Sequence, residues 1–162
     1  MKKIFGPHTR RVLDVLAGLR GLSPGDVDLV AATWKHESAV DRAEAWAELH
    51  RATSRDERYP ILAAAAAGRR TAMDIARDLH RTDWAFWAAA WDATAAVAAA
   101  DMIGSHFDTL AAPVAEVMPS LAQGQVGAQS PAQIPSPRAQ QDRAVPGSPS
   151  PVPRGRSSRA TS

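Results

Sequence analysis

Apolar residues along the first hundred or so positions recur at helical rather than alternating spacing, in blocks separated by Gly, Pro and Ser. Val12, Val15, Leu16 and Leu19 follow Pro7 and stop at Gly18 and Gly21, which predicts a first helix. Ser23, Pro24, Gly25 and Asp26 supply an N-cap, a first-turn proline and an acid near the positive helix end, ahead of Val27, Val30, Ala31 and Trp34. Ser38 opens a third helix with Ala39, Ala43, Trp46, Ala47 and His50 along one side, and Asp41, Glu44, Glu48 and Arg51 on a solvated face. Ser54 and Glu57 have capping-box spacing, but Pro60 disfavours helix at Tyr59, so a short turn is expected and then a helix from Pro60. Gly68, followed by Thr71 and Asp74 as a second cap, leaves open whether 60–80 is one helix or two.

Thr82 then reads as the cap of a helix running to about Gly104. Ser105 and Asp108 start a short helix through Phe107 and Leu110, and Pro113 and Pro119 bracket a last turn. No strand pattern is present. The expected fold is all-α, a small helical bundle of about five or six helices over 5–119. Beyond Pro119 the pattern fails: seven of the twelve prolines lie in 120–162, with no aromatic residue and few large aliphatics, so this stretch is expected to be a disordered tail.

The helix after Thr82 carries Trp84, Trp87 and Trp91, whose indoles fall within about 60° of one another around the axis. The stripe continues through Ala95, Ala98 and Met102, and is backed by a second apolar face of Phe86, Ala89, Ala93 and Val97. A helix apolar on both sides belongs at the centre of a bundle. The stripe therefore reads either as core or, where exposed, as a contact face for a protein partner, a second copy or another chain, because Trp is favoured at binding hot spots. Asp83, Asp92 and Asp101 read as residues at the edges of these faces, awaiting arginines such as Arg69, Arg77 or Arg81. A membrane span is excluded: alanine contributes little to insertion, and Asp92 would cost about 2.5 to 3.5 kcal/mol at mid-bilayer.

Charge separates the two parts of the chain. Residues 1–119 carry fourteen Lys and Arg against sixteen Asp and Glu, whereas 120–162 carries five Arg against one Asp. The basic character of the whole chain is thus a property of the tail and not a nucleic-acid signature of the helical part. The absence of cysteine excludes disulfides, thiolate chemistry and sulfur-ligated zinc. Lys2 and Lys3 are not followed by the apolar run of a signal peptide, so a cytoplasmic location is expected. His36 and Glu37 lack the second histidine of a zinc-protease motif, since Val40 stands there, and the five histidines are scattered singly. No catalytic constellation, metal site or cofactor loop is found, and an enzyme is not expected.

Two resemblances bear on function. In 56–86, Glu57, Arg58, Ile61, Leu62, Ala66, Ala67, Gly68, Arg69, Asp74, Ile75, Ala76, Leu79 and Thr82 resemble the helix-turn-helix that ends many bacterial transcription regulators. The resemblance implies DNA binding, with Arg69, Arg70, Arg77 and Arg81 as backbone contacts. The positions that would open the recognition helix are Trp84, Ala85, Phe86, Trp87, Ala88 and Ala89, which offer nothing to read a base edge. Leu22 to Trp34, the block Ala90, Trp91, Asp92 and Ala93, and the ordered Asp101, Met102, Ile103, Phe107, Asp108, Leu110 and Pro113 resemble Trp- and Ala-rich helical proteins of high-GC bacteria. No activity is assigned to that group, so this similarity implies a fold and no mechanism. The expectation is a non-enzymatic protein acting through protein association, with helix-turn-helix DNA binding as the alternative.

Overall fold

The computed structural model describes residues 4–82 and 84–121. Among them, a 3-10 turn (Gly6–His8) leads into six helices: α1 (Thr9–Arg20), α2 (Pro24–His36), α3 (Ala39–Ala52), α4 (Arg55–Asp78), α5 (Trp84–Ala98) and α6 (His106–Ala115). The fold is an all-α bundle, and no strand occurs among the described residues. Of the stretch 120–162, only Ser120 and Leu121 are described; Leu121 is buried, so the core reaches past Pro119, and the rest of the expected tail lies outside the described residues.

The starts of α2 and α3 are held as the sequence pattern implies, whereas Ser105 ahead of α6 makes no side-chain cap bond. Ser23 Oγ accepts the Asp26 N–H at 3.1 Å while Asp26 accepts the Ser23 N–H at 3.0 Å, and Ser38 Oγ accepts the Asp41 N–H at 3.1 Å. The start of α4 differs from expectation. Ser54 and Glu57 close a full capping box, at 3.2 and 2.8 Å, and the helix begins at Arg55 rather than Pro60. Pro60 is then the sixth residue of the helix, where the secured first turns outweigh the loss of one backbone donor.

Gly68 does not divide α4, which is one helix of 24 residues. Its role is spatial: a Cβ added there would lie 2.8 Å from the Ala90 carbonyl oxygen and 2.9 Å from Thr94 Cβ. Small residues on both sides, Ala64, Ala65, Gly68 and Ala72 against Ala90 and Thr94, let α4 and α5 approach closely.

α5 is central, with eleven of its fifteen residues buried and with α1, α2, α4 and α6 all packed against it. It ends at Ala98, well short of Gly104. There the bonds tighten to the i to i−3 pattern, with the Ala100 N–H donating to Val97 O and the Met102 N–H to Ala99 O. Gly104, at φ +50°, completes the reversal into α6 in a conformation that glycine adopts without strain. α6 continues through Pro113 to Ala115.

α3 packs its backbone against α6 and reaches α5 through long side chains. Its own C-terminus is closed by Arg58, which donates to the carbonyl oxygens of His50 and Thr53 at 2.9 and 2.7 Å.

Candidate functional site

Asp92 sits in the middle of α5, 5% exposed, on the side that faces α2 and α3. A carboxylate in such a place must be met by donors. The Trp34 indole N–H donates to Oδ2 at 2.9 Å, and the Trp46 indole N–H donates to Oδ1 at 3.0 Å, so each oxygen takes one indole. Arg42 adds its charge, with Nε 3.6 Å from Oδ2. The same guanidinium lies over the Trp34 ring, 3.9 Å from its centroid, and donates to the Trp34 carbonyl oxygen at 2.7 Å. One carboxylate thus ties three helices together: Trp34 comes from the end of α2, Arg42 and Trp46 from α3, and Asp92 from α5.

Burial nonetheless pushes the Asp92 carboxyl above the ordinary aspartate range, outweighing the two indole bonds and the arginine that favour its charge. Glu37, just beyond α2, is pushed up as well, first by burial, against the pull of Arg42 and helped by the nearby charges of Asp92 and Glu116. The group is a polar clasp inside an apolar bundle. Its atoms are enclosed by one another, and Asp92 lines none of four shallow depressions formed by described residues of the bundle.

The tryptophan stripe is not uniformly core. Its continuation at Ala95 and Ala98 is buried, as is the other face of α5, Phe86, Ala89, Ala90, Ala93 and Val97. Trp84 is 57% exposed, and Trp87 and Trp91 are half-buried. Trp84 nonetheless has a fixed setting, because its ring meets that of Trp34 edge to face with centroids 5.0 Å apart. Trp91 lies beside Trp46 with centroids 6.4 Å apart. The clasp therefore braces the stripe from behind.

In front of the stripe lies a shallow depression of about 290 Å³ lined by Arg69, Trp84, Trp87, Ala88 and Trp91. A second, of about 450 Å³, lies on the other side of Trp87 and is lined by Met73, Arg77, His80, Arg81 and Thr82. Trp87 belongs to both, and its indole N–H is enclosed with no acceptor among the described residues. An unmade bond of this kind costs about 1–3 kcal/mol.

Of the arginines expected to pair with the α5 acids, two are engaged elsewhere and none meets Asp92 or Asp101. Arg77 pairs with Asp74 and Arg81 with Asp28, while Arg69 and Arg70 are exposed and have no ion pair among the described residues. Asp92 is an interior residue rather than an edge residue, and Asp101 pairs with His8 at 2.8 Å. Asp83 lies outside the described residues. Of the positions 84–89, Ala85, Phe86 and Ala89 are fully buried at the start of α5.

Sequence reasoning missed the clasp. The signal was present in one acid inside an alanine run with two tryptophans on preceding helices, since an indole can only donate and a buried carboxylate can only accept. Among the described residues, no three His, Asp or Glu side chains are grouped to hold a metal ion, and no helix is long and apolar enough to cross a membrane. No protein-family model, curated protein or solved structure matches the chain.

Proposed function

We propose that this is a non-enzymatic protein-association domain whose contact face is the outer edge of α5 and the adjoining stretch of α4. The observation that carries the reading is Trp84, which leaves more than half of a large apolar side chain in water at the mouth of a groove formed by two further indoles. Exposed apolar surface of this kind marks interaction sites, and Trp is the side chain most enriched where binding energy concentrates. The T-shaped contact with Trp34 supports the reading too, because an indole already held in place loses little conformational freedom when a partner covers it. The Asp92 group is buried within its own ring of donors and supplies support rather than chemistry.

Site-specific photo-cross-linking in the host cell tests this directly. A photoreactive phenylalanine analogue at Ala88, inside the groove, is expected to trap a discrete protein adduct that the same group at Val40 does not. Val40 is 67% exposed on α3 and lines neither depression, and serves as the comparison. Equal adducts at both positions, or none at Ala88, would remove the basis for the proposal.

A further inference from the structure

We infer that the α4–α5 face takes a short amphipathic helix carrying acidic side chains beside its apolar stripe. This rests on the association reading and names the chemistry of the partner. The two depressions joined at Trp87 offer an apolar floor of Trp84, Trp87, Trp91 and Met73. Their described charged lining is Arg69, Arg77 and Arg81, with His80 alongside and no carboxylate. Arg69 is the important one, because it is exposed at the rim of the indole groove and has no counter-ion among the described residues. A partner that covers the indoles brings Arg69 out of bulk water, and a carboxylate placed there replaces the lost hydration with a charge-assisted bond.

The other occupants fit less well. A second copy applied through the same face would set one arginine rim against another. The chain's own 120–162 segment is proline-rich, and extended proline segments do dock on aromatic grooves, but it carries five Arg against one Asp and so has the wrong sign. Single-stranded nucleic acid would supply bases to stack and phosphates for Arg69. Its longer backbone would then run over a helical part whose balance is acidic, fourteen basic against sixteen acidic residues in 1–119. The described residues contain no strand edge to extend, which leaves a helix laid in the groove as the mode that the surface allows.

The test uses the full chain as bait against a displayed library of short segments in which apolar spacing, proline content and charge vary independently. The expected result is enrichment of clones with helically spaced Leu, Phe or Trp and a net negative charge. A synthetic peptide of the leading clone should bind at least about tenfold more weakly to Arg69→Glu and to Trp84→Ala, and binding should weaken as salt is raised. Both side chains are exposed, and circular dichroism checks that each variant keeps its fold. Enrichment of neutral or basic clones, or binding indifferent to Arg69→Glu, overturns the acidic partner; if Trp84→Ala still abolishes that binding, the association face stands. Enrichment of Pro- and Arg-rich clones assigns the groove to the chain's own tail. Displacement of the peptide by oligodeoxythymidylate at stoichiometric concentration assigns it to nucleic acid. Binding indifferent to both variants removes the face itself. An absence of enrichment overturns the inference, and the cross-linking at Ala88 then decides the association reading alone.

Discussion

Trp34 and Trp46 turn their indole N–H groups inward to a single carboxylate, whereas Trp84, on the same helix as that carboxylate, leaves 57% of its surface in solvent. The difference follows from what surrounds each ring. Trp34 comes from α2, which packs on α5 directly, whereas Trp46 comes from α3, which otherwise touches α5 only weakly, and a hydrogen bond from a rigid indole is a long-reach way to fix that spacing. Trp84 has Trp34 at its edge and is left more than half exposed by the described residues, so it is oriented without being covered by them. The same residue type thus serves as a donor that completes a buried network in one place and as open apolar area in another.

The largest expected effect tests the inward half. Asp92→Ala leaves two indole donors and the Arg42 charge without their acceptor, and should destabilise the bundle by about 3–5 kcal/mol in urea unfolding. A loss below about 1 kcal/mol would mean that the indoles find water instead and that the clasp is incidental.

Gly68→Ala comes next, because its Cβ would press on the Ala90 carbonyl and Thr94 across the closest approach of α4 and α5. It should cost about 1–3 kcal/mol. A neutral or stabilising result, as helix propensity alone would give, would show that the two helices can part without penalty.

Trp34→Phe and Trp46→Phe each remove one donor to Asp92 and should each cost about 1–3 kcal/mol. Trp84→Ala should cost less than either, while losing partner binding. If Trp84→Ala proves the most destabilising of the three, the contrast between the two sets of tryptophans is wrong.

The smallest effect is on pH. Asp92 titrates above its ordinary range when folded, so between the unfolded and folded values the native state holds more protons than the unfolded chain. Its contribution to stability therefore falls as pH rises through that window. Wild type should gain on Asp92→Asn as pH is lowered from neutrality towards about pH 5, read as a widening difference in urea midpoint. Glu37 acts in the same direction, so Glu37→Gln should remove part of the same slope. A difference that narrows on acidification would indicate that the donors, not burial, dominate the Asp92 carboxyl.

Much of the fold was legible where local chemistry decides it. Ser23 with Asp26 and Ser38 with Asp41 mark their helix starts because the cap is made by residues three apart. The central place of α5 was legible from its two apolar faces. Where tertiary packing decides, the sequence misled or stayed silent: Pro60 looked like a helix start, yet a secured capping box carries α4 past it, and Gly68 left one helix or two open because its role is a close approach to Thr94. Asp92 was read as an edge residue because helical periodicity gives its direction and not what α2 and α3 bring to meet it. The open face was half legible, since the three indoles share a stripe but only the packing shows that Trp91 lies beside Trp46 while Trp84 remains uncovered.

Hydrogen exchange at the tryptophan indoles, followed residue by residue by NMR, tests the division most directly. The account predicts that the Trp34 and Trp46 indole N–H groups exchange slowly and lose their protection together in Asp92→Asn, while that of Trp84 exchanges rapidly in both proteins. Slow exchange at Trp84, or protection at Trp34 and Trp46 that survives the loss of the Asp92 carboxylate, would contradict it.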